Sequence, residues 1–261
     1  MPLSFSPQSR LMPAPRWRLL KGDVSHALAI ERFGPRLTQR VLWRVETQER
    51  SVALSFDDGP HPHFTPAILD LLEKHSLPAT FFLIGRYVLK YPLLAQRIAS
   101  GKHEIGNHTF SHRILPLLRD EEVKHEIHQT EEAIRIHTGR RPRFIRPPMG
   151  LFTKRTVNVI EACGYGTVIG DVYPRDPHLP GKDKIYQRVM RRVRPGSIII
   201  LHDGGNTQHV DRSQTVWAAE KIIEALLRED YRFVTISELA EDAGKPLAKG
   251  SDAGQRALRR A

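Results

Sequence analysis

The sequence predicts an α/β fold, a barrel of about seven parallel strands, and three observations predict it. Short β-rich runs alternate with amphipathic stretches between about residues 50 and 240. Glycines stand where helices should stop, at Gly101, Gly139 and Gly164. Polar residues gather directly after the apolar runs, where a parallel barrel builds its mouth. About seven such repeats suit a closed barrel better than a short open sheet. A doubly wound sheet is the alternative, and it too would carry its site at the carboxyl ends of the strands.

The elements follow in order. SVALSF (51–56) is the first strand, and Asp57, Asp58 and Gly59-Pro60 follow it. A helix is expected over 64–75. ATFFLIG (79–85) is the second strand, with a helix over 91–101. HEIGN (103–107) leads into HTFSH, which carries His108 and His112. The next helix, 119–138, is polar, and its His125, His128 and His137 read as surface residues. RFIRP (143–147) ends at Arg146. The helix over 153–163 ends at Cys163, which reads as a small buried hydrophobe. GTVIGDV (166–172) precedes Asp176, and a helix is expected over 183–193. GSIIIL (196–201) runs into His202 and Asp203. A helix over 215–229 packs Trp217 on the barrel, and YRFVTIS (231–237) is the last strand.

Composition narrows the function classes. The 261 residues include 40 Lys and Arg against 29 Asp and Glu, a net charge of +11. Such a balance suits contact with acidic surfaces, yet no nucleic-acid motif is present, so no specific nucleic-acid partner is expected. One cysteine permits neither an intrachain disulfide nor a multi-cysteine zinc site. No run approaches the ~20 apolar residues of a membrane helix. The first 22 residues contain Arg10 and Arg16 but no apolar stretch of signal-peptide length. The expectation is a cytoplasmic protein, or one of the cell envelope where a signal has been trimmed. Residues 1–49 read as an extension, helical over 24–46 with Ser25 as a cap. Residues 50–241 read as the catalytic domain, and 242–261 as a basic, disordered tail.

The chemistry starts from Asp57 and Asp58. Two adjacent carboxylates repel, and burial raises the cost, so the pair asks for a cation. Gly59-Pro60 ends the strand, and the turn can aim both carboxylates at the mouth. His108 and His112 are four apart, so one helical turn would bring them to one face. With one carboxylate they make a two-His, one-carboxylate set, used by zinc hydrolases and by non-haem iron enzymes. The other carboxylate can take a proton from water. His202 can protonate a leaving group. Arg146 can orient the base carboxylate or form an ion pair with Asp176.

SFDDGP, HTFSH, RPPMG and LHDG resemble the first, second, third and fifth motifs of the polysaccharide deacetylases, the NodB homology domain of carbohydrate esterase family 4. The resemblance covers about residues 50–240, with the motifs in the family's order. It implies a distorted (β/α) barrel of about seven strands. It implies a divalent metal ion, zinc with cobalt or another divalent ion as alternatives, bound by Asp58, His108 and His112. Asp57 would be the general base, His202 the general acid, and Arg146 would hold Asp57 with support from Asp176. The backbone N–H of Met149, where the family commonly has tyrosine, would polarise the acyl oxygen. Pro147, Tyr173 and Leu201 would complete the substrate-binding set. The activity implied is hydrolysis of the N-acetyl amide of an N-acetylglucosamine-type saccharide, whether chitooligosaccharide, peptidoglycan or a related glycan, with release of acetate. The fourth motif departs from the family pattern. In GDVYPRDPH, Pro177 stands where tryptophan is usual and Tyr173 replaces an acid. That departure favours a second reading, the same chemistry on a small N-acyl compound. A third reading is a catalytically inactive, glycan-binding relative.

Overall fold

The computed structural model describes residues 40–242. The expectations for the first 39 residues and for the tail beyond 242 lie outside them. The strands are β1 (Val41–Leu42), β2 (Ser51–Gly59), β3 (Thr80–Leu83), β4 (Glu104–Asn107), β5 (Phe144–Ile145), β6 (Gly166–Val168), β7 (Ile198–His202) and β8 (Arg232–Val234). The helices are α1 (Phe64–Lys74), α2 (Gly85–Lys90), α3 (Pro92–Ser100), α4 (Asp120–Thr138), α5 (Lys154–Ala162), α6 (Lys182–Met190), α7 (Ser213–Arg228) and α8 (Ile236–Asp242).

The strands form one sheet in the order β1-β6-β5-β4-β3-β2-β7, with β8 paired to the start of β2. All the ladders are parallel. No ladder joins β7 back to β6 or β1, so the ring has a seam. Isolated bridges cross it: Val172 pairs with Ile199 and Arg44 with Ser197. The Ile200 N–H donates to the Val172 carbonyl and the Val45 N–H to the Gly196 carbonyl, both at 2.9 Å. This is the distorted barrel expected, with an added short strand, β1.

Every residue of β2 is buried, as a parallel strand covered on both faces requires. Its alternation builds two cores. Val52, Leu54 and Phe56 join Ile68, Leu72, Ile222 and Leu226 between the sheet and the surrounding helices. Ala53 joins Phe82, Phe144, Val168, Ile198 and Val234 inside the barrel. Each large apolar side chain buried this way contributes about 1.5–3 kcal/mol, so a one-residue slip of β2 is prohibitive.

Helix ends obey local chemistry. Asp120, Glu121 and Glu122 occupy the first turn of α4, where acids favour the helix dipole, and Gly139 closes it at φ 67°. Gly101 ends α3 in an extended conformation instead of the left-handed one. Several boundaries differ from the sequence reading. Gly85, read as a strand end, opens α2, and Pro92 starts α3 as a separate helix. The last strand stops at Val234, and α8 begins at Ile236. Within the helix read over 24–46, the described residues Val41–Leu42 form strand β1 instead, because Val45 packs into the inner core and holds this segment extended. No described helix is long and apolar enough to cross a membrane.

Candidate active site

Asp57 and Asp58 leave β2 differently. Alternation places Ala53, Ser55 and Asp57 on the inner face, so register alone aims Asp57 into the barrel mouth. Asp58 would face the helices. Instead the pairing with β3 slips between Asp57 and Gly59, and Asp58 takes φ 71°. This bulge turns its carboxylate back toward the mouth. The strand continues through Gly59, so the bulge, not the strand end expected from sequence, brings the two acids together. Gly204 packs against the bulge so closely that a Cβ there would stand 2.1 Å from the Asp58 carbonyl oxygen.

The residues HTFSH do not form the helical turn expected from their spacing. They form a loop folded back at Thr109 (φ 65°) and His112 (φ 60°). The loop places His108 Nε2 3.3 Å and His112 Nε2 3.1 Å from Asp58 Oδ1. His108 Nδ1 lies 2.7 Å from the Arg146 carbonyl. A carbonyl can only accept, so Nδ1 carries a hydrogen and Nε2 is the ring atom turned to Asp58. Asp58 Oδ1 is buried and receives no hydrogen bond. A buried carboxylate oxygen facing two imidazole nitrogens suits a cation, and ligand atoms of all three residues lie within 4.8 Å of one another. Two imidazoles and one carboxylate fit a divalent ion with open positions.

Arg146 continues the inner face after β5 and is 2% exposed. Its Nη1 donates to Asp57 Oδ1 at 2.5 Å and to Ser55 Oγ at 2.9 Å, and its guanidinium stacks 4.1 Å from the Phe82 ring centroid. Asp176 does not support Arg146, contrary to the sequence reading. Its Oδ1 lies 3.0 Å from His202 Nδ1, and its Oδ2 accepts from the His202 N–H and the Thr215 hydroxyl, both at 2.9 Å. The short turn Asp176–His178 swings this carboxylate across the seam to the end of β7. Burial alone would depress the His202 imidazole. The charge and hydrogen bond of Asp176, with Asp58 and Asp57 beyond, outweigh it and push the ring up to about 9.

β2 and β7 pair Asp57 with His202 directly, so the base and acid candidates share one register position. Tyr173 is half-buried, with its ring 6.0 Å from that of His202. Met149 is 70% exposed with φ 60°, and Pro147 is buried where its turn begins. Leu201 does not belong to the site. It is fully buried in the outer core, because alternation along β7 turns it away from the face of His202. Sequence reasoning missed Ser55 and Thr65. Ser55 was legible as a polar residue in register with Asp57. Thr65 donates to Asp203 Oδ2 and accepts from the His61 N–H at 2.7 Å. Burial, opposed by that Thr65 bond and aided by Asp58 and Asp57, raises the Asp203 carboxyl to about 7.

Residues 44–168 match a family model described as polysaccharide deacetylase. The chain is 39% identical over 204 residues to a peptidoglycan-N-acetylglucosamine deacetylase of Bacillus cereus, covering 77% of this chain and 93% of the relative. It is also 39% identical over 198 residues to a chitooligosaccharide deacetylase of Bradyrhizobium sp., covering 73% and 90%. Among solved structures, a peptidoglycan N-acetylglucosamine deacetylase in complex with 4-naphthalen-1-yl-N-oxidanyl-benzamide matches with TM-score 0.71 and 35% identity, over 77% of this chain and 92% of that one. A CE4 family pseudoenzyme from Bacillus anthracis matches with TM-score 0.71 and 29% identity, over 78% and 70%.

Proposed function

The chain belongs to the polysaccharide deacetylase family, and from that membership we infer that it hydrolyses the N-acetyl amide of an N-acetylglucosamine-type saccharide and releases acetate. One observation carries the reading: a base pair, an acid pair and a three-residue cation site meet at one barrel mouth.

Asp58, His108 and His112 would hold the metal ion, for which we take zinc, with cobalt or another divalent ion as alternatives. When bound, the ion supplies Lewis-acid charge to the acyl oxygen and makes water more acidic. Asp57 takes the proton from the attacking water. Arg146 and, through it, Ser55 hold Asp57 in place, so no reorganisation is needed at the moment of attack. The Met149 N–H adds a main-chain donor for the oxyanion. His202 delivers a proton to the departing amine. Asp176 at its Nδ1 leaves Nε2–H as the acid group, and a ring raised to about 9 is protonated at neutral pH. Tyr173 and the Pro147–Met149 backbone bound the saccharide. Peptidoglycan as substrate implies work at the cell envelope, whereas a free oligosaccharide is compatible with the cytoplasm.

The test is acetate release from N-acetylglucosamine oligomers and from peptidoglycan, with zinc or cobalt restored after chelation, and with Asp57→Asn alongside. Metal-dependent release by the wild type, and a fall of about 10²–10⁴-fold in the variant, is expected. No release by a protein that binds zinc tightly would move the substrate to small N-acyl compounds.

A further inference from the structure

The polar helix α4 hides one carboxylate. Glu126 is 5% exposed, although its neighbours His125 and His128 face solvent. Its Oε2 accepts from the Ser111 backbone N–H at 2.8 Å, and its Oε1 accepts from the Ser111 hydroxyl at 2.5 Å. Ser111 immediately precedes His112, a candidate ligand held at φ 60°. Residues other than glycine stay in that region only where their surroundings over-determine the backbone.

The rest of the loop shows how that is done. Its Thr109 N–H is taken by Asn107 Oδ1 at 2.9 Å. The Thr109 and Phe110 carbonyls accept from the Gly85 and Arg86 N–H groups that open α2. These contacts hold the His108 side of the loop. On the His112 side, Glu126 grips both polar hydrogens of Ser111. We propose that Glu126 is a positioning residue for the metal site, fixing His112 in its ligating conformation through Ser111. The proposal rests on the metal site described above and adds to it a residue on a different element, α4, outside the HTFSH stretch.

Zinc affinity, measured by competition with a chromogenic chelator, tests it, with melting of the metal-free proteins as a control for folding. Glu126→Ala is expected to weaken zinc binding about 10–100-fold, as loss of an outer support of a metal ligand does. Glu126→Gln is expected to stay within about threefold of wild type, because its amide can accept from the Ser111 N–H and donate to the Ser111 hydroxyl. Ser111→Ala keeps the main-chain bond and should fall between the two. A merely structural glutamate would lower the melting temperature and leave the zinc affinity of the folded protein unchanged. Equal zinc affinity in wild type and Glu126→Ala overturns the proposal, and equal affinity in Ser111→Ala does so should the alanine variant fail to fold. A wild type that binds no zinc overturns the metal site and this proposal together.

Discussion

Asp176 and His202 form a buried couple whose charge state sets the pH behaviour of the site. The His202 ring is raised above its ordinary 6.5 to about 9 by Asp176 acting against burial. A raised histidine is an acid over a wider range, so activity should persist to about pH 9 and fall above it. The same shift stabilises the fold fully below about 6.5 and loses that contribution as pH rises through about 9. In Asp176→Asn the alkaline limb of kcat should move down by roughly one unit or more, while zinc affinity stays near wild type. A limb that does not move would remove Asp176 from this role. At this scale the sequence disclosed residue types but not pairings. Asp57, Asp58, His108, His112 and His202 stood out because charge at the end of an apolar run demands a partner. That Asp176 serves His202 and not Arg146 was hidden, because three-dimensional reach across the seam has no signature in residue spacing. Leu201 was a misreading that alternation alone could have prevented, since it adjoins His202 on the same strand.

Elements carry the next level of precision. The bulge at Asp58 depends on Gly204, whose missing Cβ leaves room for the Asp58 carbonyl. Gly204→Ala should destabilise the protein by about 1–3 kcal/mol in urea unfolding, and should also weaken zinc binding, because the added Cβ meets the backbone of the bulge itself. Loss of stability with unchanged zinc affinity would show that the bulge tolerates displacement. Most elements were legible from periodicity: α7 buries Thr215, Ala218, Ala219, Ile222, Ile223 and Leu226, a stripe of helical spacing. The misses lie where local signals compete. Gly85 read as the end of a strand and is instead a helix start, and the bulge and the left-handed loop around His112 arise from tertiary packing that a periodic pattern cannot encode.

At the scale of the whole molecule, the metal should act as a fold stabiliser. An ion at about 100 times its Kd adds about 2.7 kcal/mol, and each kcal/mol moves the melting point of a chain this size by about 2–4 °C. Chelated protein should therefore melt roughly 5–10 °C below the zinc-loaded form by circular dichroism. Identical melting curves would argue against a bound ion. The barrel itself was legible because alternating elements leave few architectures, but the strand that completes its edge was not, since β1 has only two residues. Charge reads differently at this scale as well. Eleven of the 40 Lys and Arg, but only three of the 29 acids, lie outside residues 40–242. The basic character of the sequence is therefore largely a property of its ends, not of the barrel.

The seam divides the site into two parts held with unequal firmness. The base and one ligand stand on β2, the two histidines follow β4 and Arg146 follows β5, three strands locked by ladders through β3. The segment bearing Tyr173, Asp176 and Pro177 reaches β7 by an isolated bridge and a few hydrogen bonds. Changes of backbone around Asp176 in that segment leave the ladders that hold the ligands and the base untouched, provided that Asp176 keeps its bonds to His202. Pro177 therefore alters a stretch of wall that the sheet does not lock, one residue from the carboxylate that must still reach His202 across the gap.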